Sequence, residues 1–101
     1  MIKIITKKYG FLEYMAVSDT IDIINIEVFP KYRRKGIATS LLNELFEKNI
    51  EEIEKVFLEV RKSNEAAIQL YKKNGFEIIS ERKNYYKNPT EDALIMCRKL
   101  S

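Results

Sequence analysis

The stretch NIEVFPKYRRKGIATSLL, residues 25–42, decides how the rest of the chain is read. Asn25 to Phe29 is β-prone, and Pro30 ends the strand because proline cannot donate to a ladder. Arg33-Arg34-Lys35-Gly36-Ile37-Ala38 follows, and a helical repeat opens there. A helix N-terminus presents consecutive unpaired backbone N–H groups, and the helix dipole makes that end an anion site. Gly36 and Ala38 leave room for a phosphate to approach the backbone, and the adjacent cations add long-range attraction. The simplest ligand is a pyrophosphate. The common phosphate-loop patterns fit worse. No GxxxxGK[ST] occurs, and the other glycines, Gly10 and Gly75, are too distant for GxGxxG. A basic turn that merely caps an ordinary helix would read the same way, so the stretch alone leaves both readings open.

Composition narrows the chemistry. The chain of 101 residues is expected to form one domain over 1–101, with 46% hydrophobic and 33% charged residues, an ordinary soluble balance. No apolar run approaches a membrane span, and MIKIITKK lacks a signal-peptide plan, so the expected compartment is the cytoplasm and no membrane partner is expected. Cys97 is the only cysteine and there is no histidine. Zinc sites and Ser-His or Cys-His catalysis are therefore excluded, and no metal is expected. Acid–base work must fall to carboxylates, tyrosines, lysines or water. The net charge of +3 suits an anionic ligand but is too mild to argue for nucleic acid.

Working outward, the spacing predicts strands at 2–8, 11–17 and 21–29 joined by short links, an antiparallel meander. Along the second strand, Phe11, Glu13, Met15 and Val17 fall on one side and Leu12, Tyr14 and Ala16 on the other. The run Ile23-Ile24-Asn25-Ile26 suggests burial on both faces. Ile37, Leu41, Leu42, Leu45, Phe46, Ile50 and Ile53 recur at spacings of three and four, predicting a helix from Gly36 to about Glu54. Glu51, Glu52 and Glu54 read as a solvated face. Val56 to Val60 is a strand. Ser63 or Asn64 caps a helix over 65–73, which Asn74-Gly75 stops. A strand from Phe76 towards Tyr85 and a last one at 93–97 complete an α+β order around one mixed, mainly antiparallel sheet with two main helices.

Arg33-x-x-Gly36-x-Ala38 resembles the acetyl-coenzyme A loop of the GNAT N-acetyltransferase superfamily. The later runs LEVRxSNxxAxxLYxxxGF (58–76), RxNYY (82–86) and EDALIM (91–96) are similar to its ribosomal-protein alanine N-acetyltransferase-like branch, which acetylates protein N-termini. The resemblance covers roughly Gly10 to Leu100. It implies the acyl-CoA N-acyltransferase fold, with acetyl-CoA as cosubstrate and an amine acceptor, either a peptide N-terminus or a small amine. It also implies that a first strand and two helices usual in the superfamily are missing ahead of Ile2. That would leave Ile2, Ile4, Phe11, Leu12 and Tyr14 as candidates for an exposed apolar surface and a possible homodimer contact. A non-catalytic acyl-CoA-binding subunit completed by a partner is the alternative from another class.

The resemblance assigns roles residue by residue. Backbone groups of Ile26, Glu27 and Val28 would meet the pantetheine arm, with the Val28 N–H at the thioester carbonyl. The loop from Arg33 through Arg34, Lys35, Gly36, Ile37, Ala38 and Thr39 would hold the pyrophosphate. Asn64 would hydrogen-bond near the thiol end, though it also reads as a plain helix cap. Tyr71 would be the general acid, though it equally reads as a core residue packed with Ala67 and Leu70. Glu59 would be the base, though a strand glutamate paired with a lysine looks the same. Glu27 and the Tyr85-Tyr86 pair would shape the acceptor side, the tyrosines being also ordinary strand pairing residues. Acceptor chemistry favours an α-amine, whose pKa of ~8 leaves far more neutral amine at pH 7 than the ~10.4 of lysine.

Overall fold

The computed structural model describes residues 1–33 and 36–100. Its elements are β1 (Ile2–Lys7), β2 (Gly10–Val17), β3 (Thr20–Val28), a 3-10 turn (Pro30–Tyr32), α1 (Ile37–Asn49), β4 (Lys55–Arg61), α2 (Glu65–Lys73), β5 (Glu77–Tyr86) and β6 (Glu91–Lys99). The strands form one six-stranded sheet in the order β1-β2-β3-β4-β6-β5. Every neighbouring pair is antiparallel except β3–β4. This is the mixed, mainly antiparallel α+β arrangement expected from the sequence. No described helix is long and apolar enough to cross a membrane.

One buried cluster holds the elements together. Strand alternation puts Leu12 and Tyr14 of β2, Val56, Leu58 and Val60 of β4, and Leu94 and Met96 of β6 into it. Leu41, Leu42, Leu45 and Phe46 of α1 and Ile68 and Tyr71 of α2 close it from above. The helix spacing of three and four places these side chains on one stripe. Leu12 and Tyr14, expected as candidates for exposed surface, are fully buried, whereas Ile2 and Ile4 are about half exposed. The physical reason is the pleat: Leu12 pairs with buried Ile5 on the inner face, and Ile4 pairs with Glu13 on the outer one.

Two further expectations are corrected. The first helix stops at Asn49 rather than near Glu54. Asn49 Nδ2 donates to the Leu45 carbonyl, and the Asn49 carbonyl accepts from Glu52 and Ile53, which closes the helix end. Three glutamates beyond that point would also oppose the helix dipole. Ile50 is left exposed, while the turn returns Ile53 to the core. The second correction concerns β3. It is central in the sheet, yet Ile24 and Asn25 are exposed rather than buried on both faces. The cause is its short pairing with β4, which runs only from Thr20↔Lys55 to Asp22↔Phe57. Asn25 and Ile23 pair with consecutive β2 residues, so Ile24 is an extra, bulged residue. Beyond Asp22 the two strands diverge and leave a slot in the sheet.

Candidate functional site

The slot is a cavity of about 560 Å³. Ile26, Glu27 and Val28 of β3 form one wall, and Asn64, Ala67, Leu70 and Tyr71 of α2 region the other. Arg33, Gly36, Ile37, Ala38 and Thr39, at the start of α1, close one end. Every described residue expected to hold the coenzyme therefore lines one space. Arg34 and Lys35 lie outside the described residues.

The direction of the β3 backbone follows from one hydrogen bond. The Phe29 N–H donates to the Tyr9 carbonyl over 3.0 Å, towards β2. Alternation along an antiparallel ladder then turns Glu27 and Asn25 the same way. The N–H and C=O groups of Val28 and Ile26 must point away from β2, into the slot. The Val28 carbonyl confirms this, since it accepts from Arg33 Nε over 3.1 Å. With β4 diverged, this is sheet edge without a strand partner, able to pair with amide groups of a ligand. Close packing of β2 is needed behind it: a Cβ on Gly10 would lie 2.5 Å from the Glu27 carbonyl oxygen.

Gly36 caps α1 with φ +74°, a left-handed conformation that glycine adopts without penalty. Among the described residues, its chain neighbours apart, nothing lies within 4 Å of where its Cβ would be. The first intrahelical bond runs from Ser40 N–H to the Gly36 carbonyl. Helix geometry thus leaves the N–H groups of Ile37, Ala38 and Thr39 for an anion at the slot. Asn64 caps α2 by accepting from the Ala67 N–H over 3.2 Å, so its capping role is real, and its position on the slot wall leaves its amide within reach of a ligand.

Tyr71 is buried, its ring edge-on to Phe76 with centroids 5.8 Å apart. Burial, and then the neighbouring Tyr86 phenol, push its hydroxyl up to about 12. No described side-chain N or O is both buried and without a partner, and among the described residues the Tyr71 hydroxyl makes no hydrogen bond. Its oxygen therefore reaches open space in the slot.

Glu59 is exposed and lies off that first cavity. It shares an adjoining space of about 290 Å³ with Tyr71, Asn64, Ala67 and Ile26. Those four residues line both spaces, so the slot passes through the sheet, with Glu59 and Tyr86 on its far side. A further space of about 310 Å³ on that side is bounded by Asp22, Ile24, Phe57, Glu59, Tyr85 and Tyr86. The Glu59 carboxylate beside the Tyr85 hydroxyl raises the pKa of that phenol. Glu27, expected also to shape the acceptor side, lines only the first cavity. No lysine pairs with Glu59 among the described residues.

Sequence reasoning gave no site role to Ala66, which lies in the slot wall, or to Asn74, read only as a helix stop, whose amide reaches Thr39. It quoted Arg61 within a motif but gave it no role. Among the described residues no group of three or more His, Cys, Asp or Glu gathers as a metal site.

Comparison with known proteins agrees with this geometry. The acetyltransferase (GNAT) family matches residues 3–76. The [ribosomal protein bS18]-alanine N-acetyltransferase of Escherichia coli K12 is 41% identical over 104 residues, covering 94% of this chain and 66% of that protein. The crystal structure of the Escherichia coli ribosomal-protein-S18-alanine N-acetyltransferase superposes with a TM-score of 0.87 at 36% identity, over 95% of this chain and 66% of that one. An N-alpha-acetyltransferase of Saccharolobus solfataricus is 45% identical over 80 residues, covering 77% of this chain and 47% of that protein. A GNAT family acetyltransferase from Elizabethkingia anophelis, solved with acetyl-CoA bound, superposes with a TM-score of 0.81 at 26% identity, over 90% of this chain and 68% of that one. The chain thus spans just under two thirds of the first relative's length and about half of the Saccharolobus protein's.

Proposed function

This chain belongs to the acetyltransferase (GNAT) family, and from that membership we propose that it transfers the acetyl group of acetyl-CoA to a primary amine, a protein or peptide N-terminal α-amine. The observation that carries the reading is the open β3 edge, with the Val28 and Ile26 amides facing a slot whose end is the N-terminus of α1. Pantetheine amides would pair with that edge, and the pyrophosphate would meet the N–H groups of residues 37–39. Arg33 supplies a cation there, and the sequence continues with two more, Arg34 and Lys35.

In the reaction the amine nitrogen bonds to the thioester carbonyl carbon, and the carbon–sulfur bond breaks. The Val28 N–H stabilises the oxyanion that develops between those events. Tyr71 protonates the departing thiolate, and Asn64 orients the thiol end. A phenol held near 12 is a weak acid, but the same desolvation raises the basicity of a thiolate formed beside it. The difference between the two, rather than either value, governs the transfer. Glu59, across the slot, takes the amine proton through water.

The test is acetylation of short peptides with a free N-terminus, matched against N-blocked peptides carrying lysine and against small polyamines. Transfer to the free N-terminus and not to the blocked peptides is the expected result. Preference for polyamines would move the acceptor to small-molecule amines. Acetyl-CoA binding with no transfer to any amine would overturn the catalytic reading in favour of a coenzyme-binding subunit.

A further inference from the structure

Arg61 ends β4 two residues beyond Glu59 and therefore on the same side of the strand. Its guanidinium is unusually well occupied. Nη1 donates to the Pro89 carbonyl over 3.0 Å and to the Glu91 carboxylate over 3.3 Å, and Nη2 donates to the Lys87 carbonyl over 3.1 Å. Its Cζ also sits 4.4 Å from the centroid of the Tyr86 ring. Around this fork the β5–β6 turn is fastened to the β4–α2 connection by its own bonds. Glu91 accepts from the Ser63 N–H over 2.6 Å, and the Lys62 N–H donates to the Asp92 carbonyl over 3.1 Å.

Arg61 and Tyr86 both line the far-side space of about 290 Å³, and the ring of Tyr86 carries the fastening on towards Glu59. Tyr86 is half-buried, stands edge-on to Tyr85 at 5.1 Å, and lines both far-side spaces with Glu59. An amine held in either far-side space has both Tyr86 and Glu59 in its walls, and in the smaller one Tyr71 as well.

We propose that Arg61 is a positioning residue for the acceptor: by fixing the 87–91 turn it sets Tyr86 as the wall of the acceptor entrance. The proposal rests on the acetyl-transfer reading. A planar guanidinium offers its donors in a fixed fork from two separate Nη groups, which suits two carbonyls and a carboxylate while its face lies over a ring. A lysine at this place keeps the charge and loses the fork. The effect is confined to the acceptor side, because neither Arg61 nor Tyr86 lines the cavity assigned to the coenzyme.

The experiment compares the wild-type chain with Arg61→Lys. Steady-state kinetics give KM for acceptor peptide and for acetyl-CoA, and NMR of ring-labelled tyrosine follows Tyr86 without substrate. Acceptor KM should rise roughly tenfold, the size expected for losing a charge-assisted hydrogen bond, while KM for acetyl-CoA stays within about twofold. The Tyr86 ring signals should shift and broaden. Equal rises in both KM values would mean general loosening, and unchanged KM values with only a lower melting temperature would mean a purely structural ion pair; either overturns the proposal. If Arg61→Lys does not fold, Glu91→Gln, which weakens one partner of the fork, should raise acceptor KM in the same direction by less, and an unchanged value overturns the proposal. A wild-type chain that acetylates no amine defeats the acetyl-transfer reading and the acceptor role with it. Tyr86 ring signals unmoved by Arg61→Lys would defeat the positioning role alone.

Discussion

Asn74 Nδ2 donates to the Thr39 hydroxyl over 3.3 Å and to the Leu70 carbonyl over 2.9 Å, so one buried amide joins the first turn of α1 to the last turn of α2. These are the helices that carry the N-terminal anion site and Tyr71. The bond to Thr39 holds the α1 end of the slot against its α2 wall.

Replacing that amide with an apolar side chain of similar size, Asn74→Leu, should cost stability of about 1–3 kcal/mol, since the bond to Thr39 is lost within a tight site. The backbone carbonyl of Asn74 still accepts from Arg98 Nη1, so the end of α2 stays anchored to β6. Coenzyme A affinity should weaken several-fold by calorimetry, and the acceptor KM should stay put. Wild-type affinity in Asn74→Leu would show that the helix spacing does not depend on this bond.

Gly36 separates conformational strain from ligand repulsion. Gly36→Ala should lower stability by about 1 kcal/mol because its φ of +74° disfavours a Cβ, yet open space around it allows the methyl group. Gly36→Glu adds bulk and negative charge where a pyrophosphate would lie, and coenzyme binding should vanish. Equal affinity of the two variants would remove the anion site from the account.

Tyr71→Phe keeps the ring edge-on to Phe76 and removes only the hydroxyl. Turnover should fall by roughly 10²–10⁴, with coenzyme affinity nearly unchanged. A stability loss matching the activity loss would instead mark Tyr71 as a core residue only.

The same hydroxyl makes a pH prediction. Its folded-state pKa is raised from 10.0 to about 12, first by burial and then by Tyr86, so between those values the folded chain holds a proton that the unfolded chain has released. Stability from this group is full below pH 10 and is lost as pH rises towards 12. Denaturant unfolding should show an alkaline decline that is smaller in Tyr71→Phe. An identical decline in both proteins would place the titration elsewhere.

The elements that could be read in the sequence are those whose signals are local. Asn64, Glu65 to Lys73 and Gly75 state a cap, a helix and its left-handed stop, and the structure has all three at those positions. The outcome at Ile24 could not be read that way. A run of β-branched residues implies two buried faces, but burial depends on how far β4 follows β3, and that divergence is a tertiary event. The helix end at Asn49 lay within reach, because three glutamates against the negative end of the dipole are a local cue that the apolar spacing overrode. The residues that gather at the end of the slot proposed for the coenzyme were marked in the sequence by Arg33, Gly36 and Ala38. On the other side Glu59 and the Tyr85-Tyr86 pair were named through the resemblance, but the contact of Arg61 with Tyr86 was not, because the two are 25 positions apart in sequence and meet only when β5 folds back along β6.

The central claim is that the outward amides of Ile26 and Val28 receive the coenzyme, and a backbone NMR titration with coenzyme A tests it most directly. The account predicts that the N–H signals of Ile26, Val28, Ile37, Ala38 and Thr39 shift on binding and gain exchange protection. Glu27 and Phe29, whose N–H groups face β2, should move little. Shifts of equal size at Glu27 and Phe29, or changes confined to residues outside the slot, would contradict it.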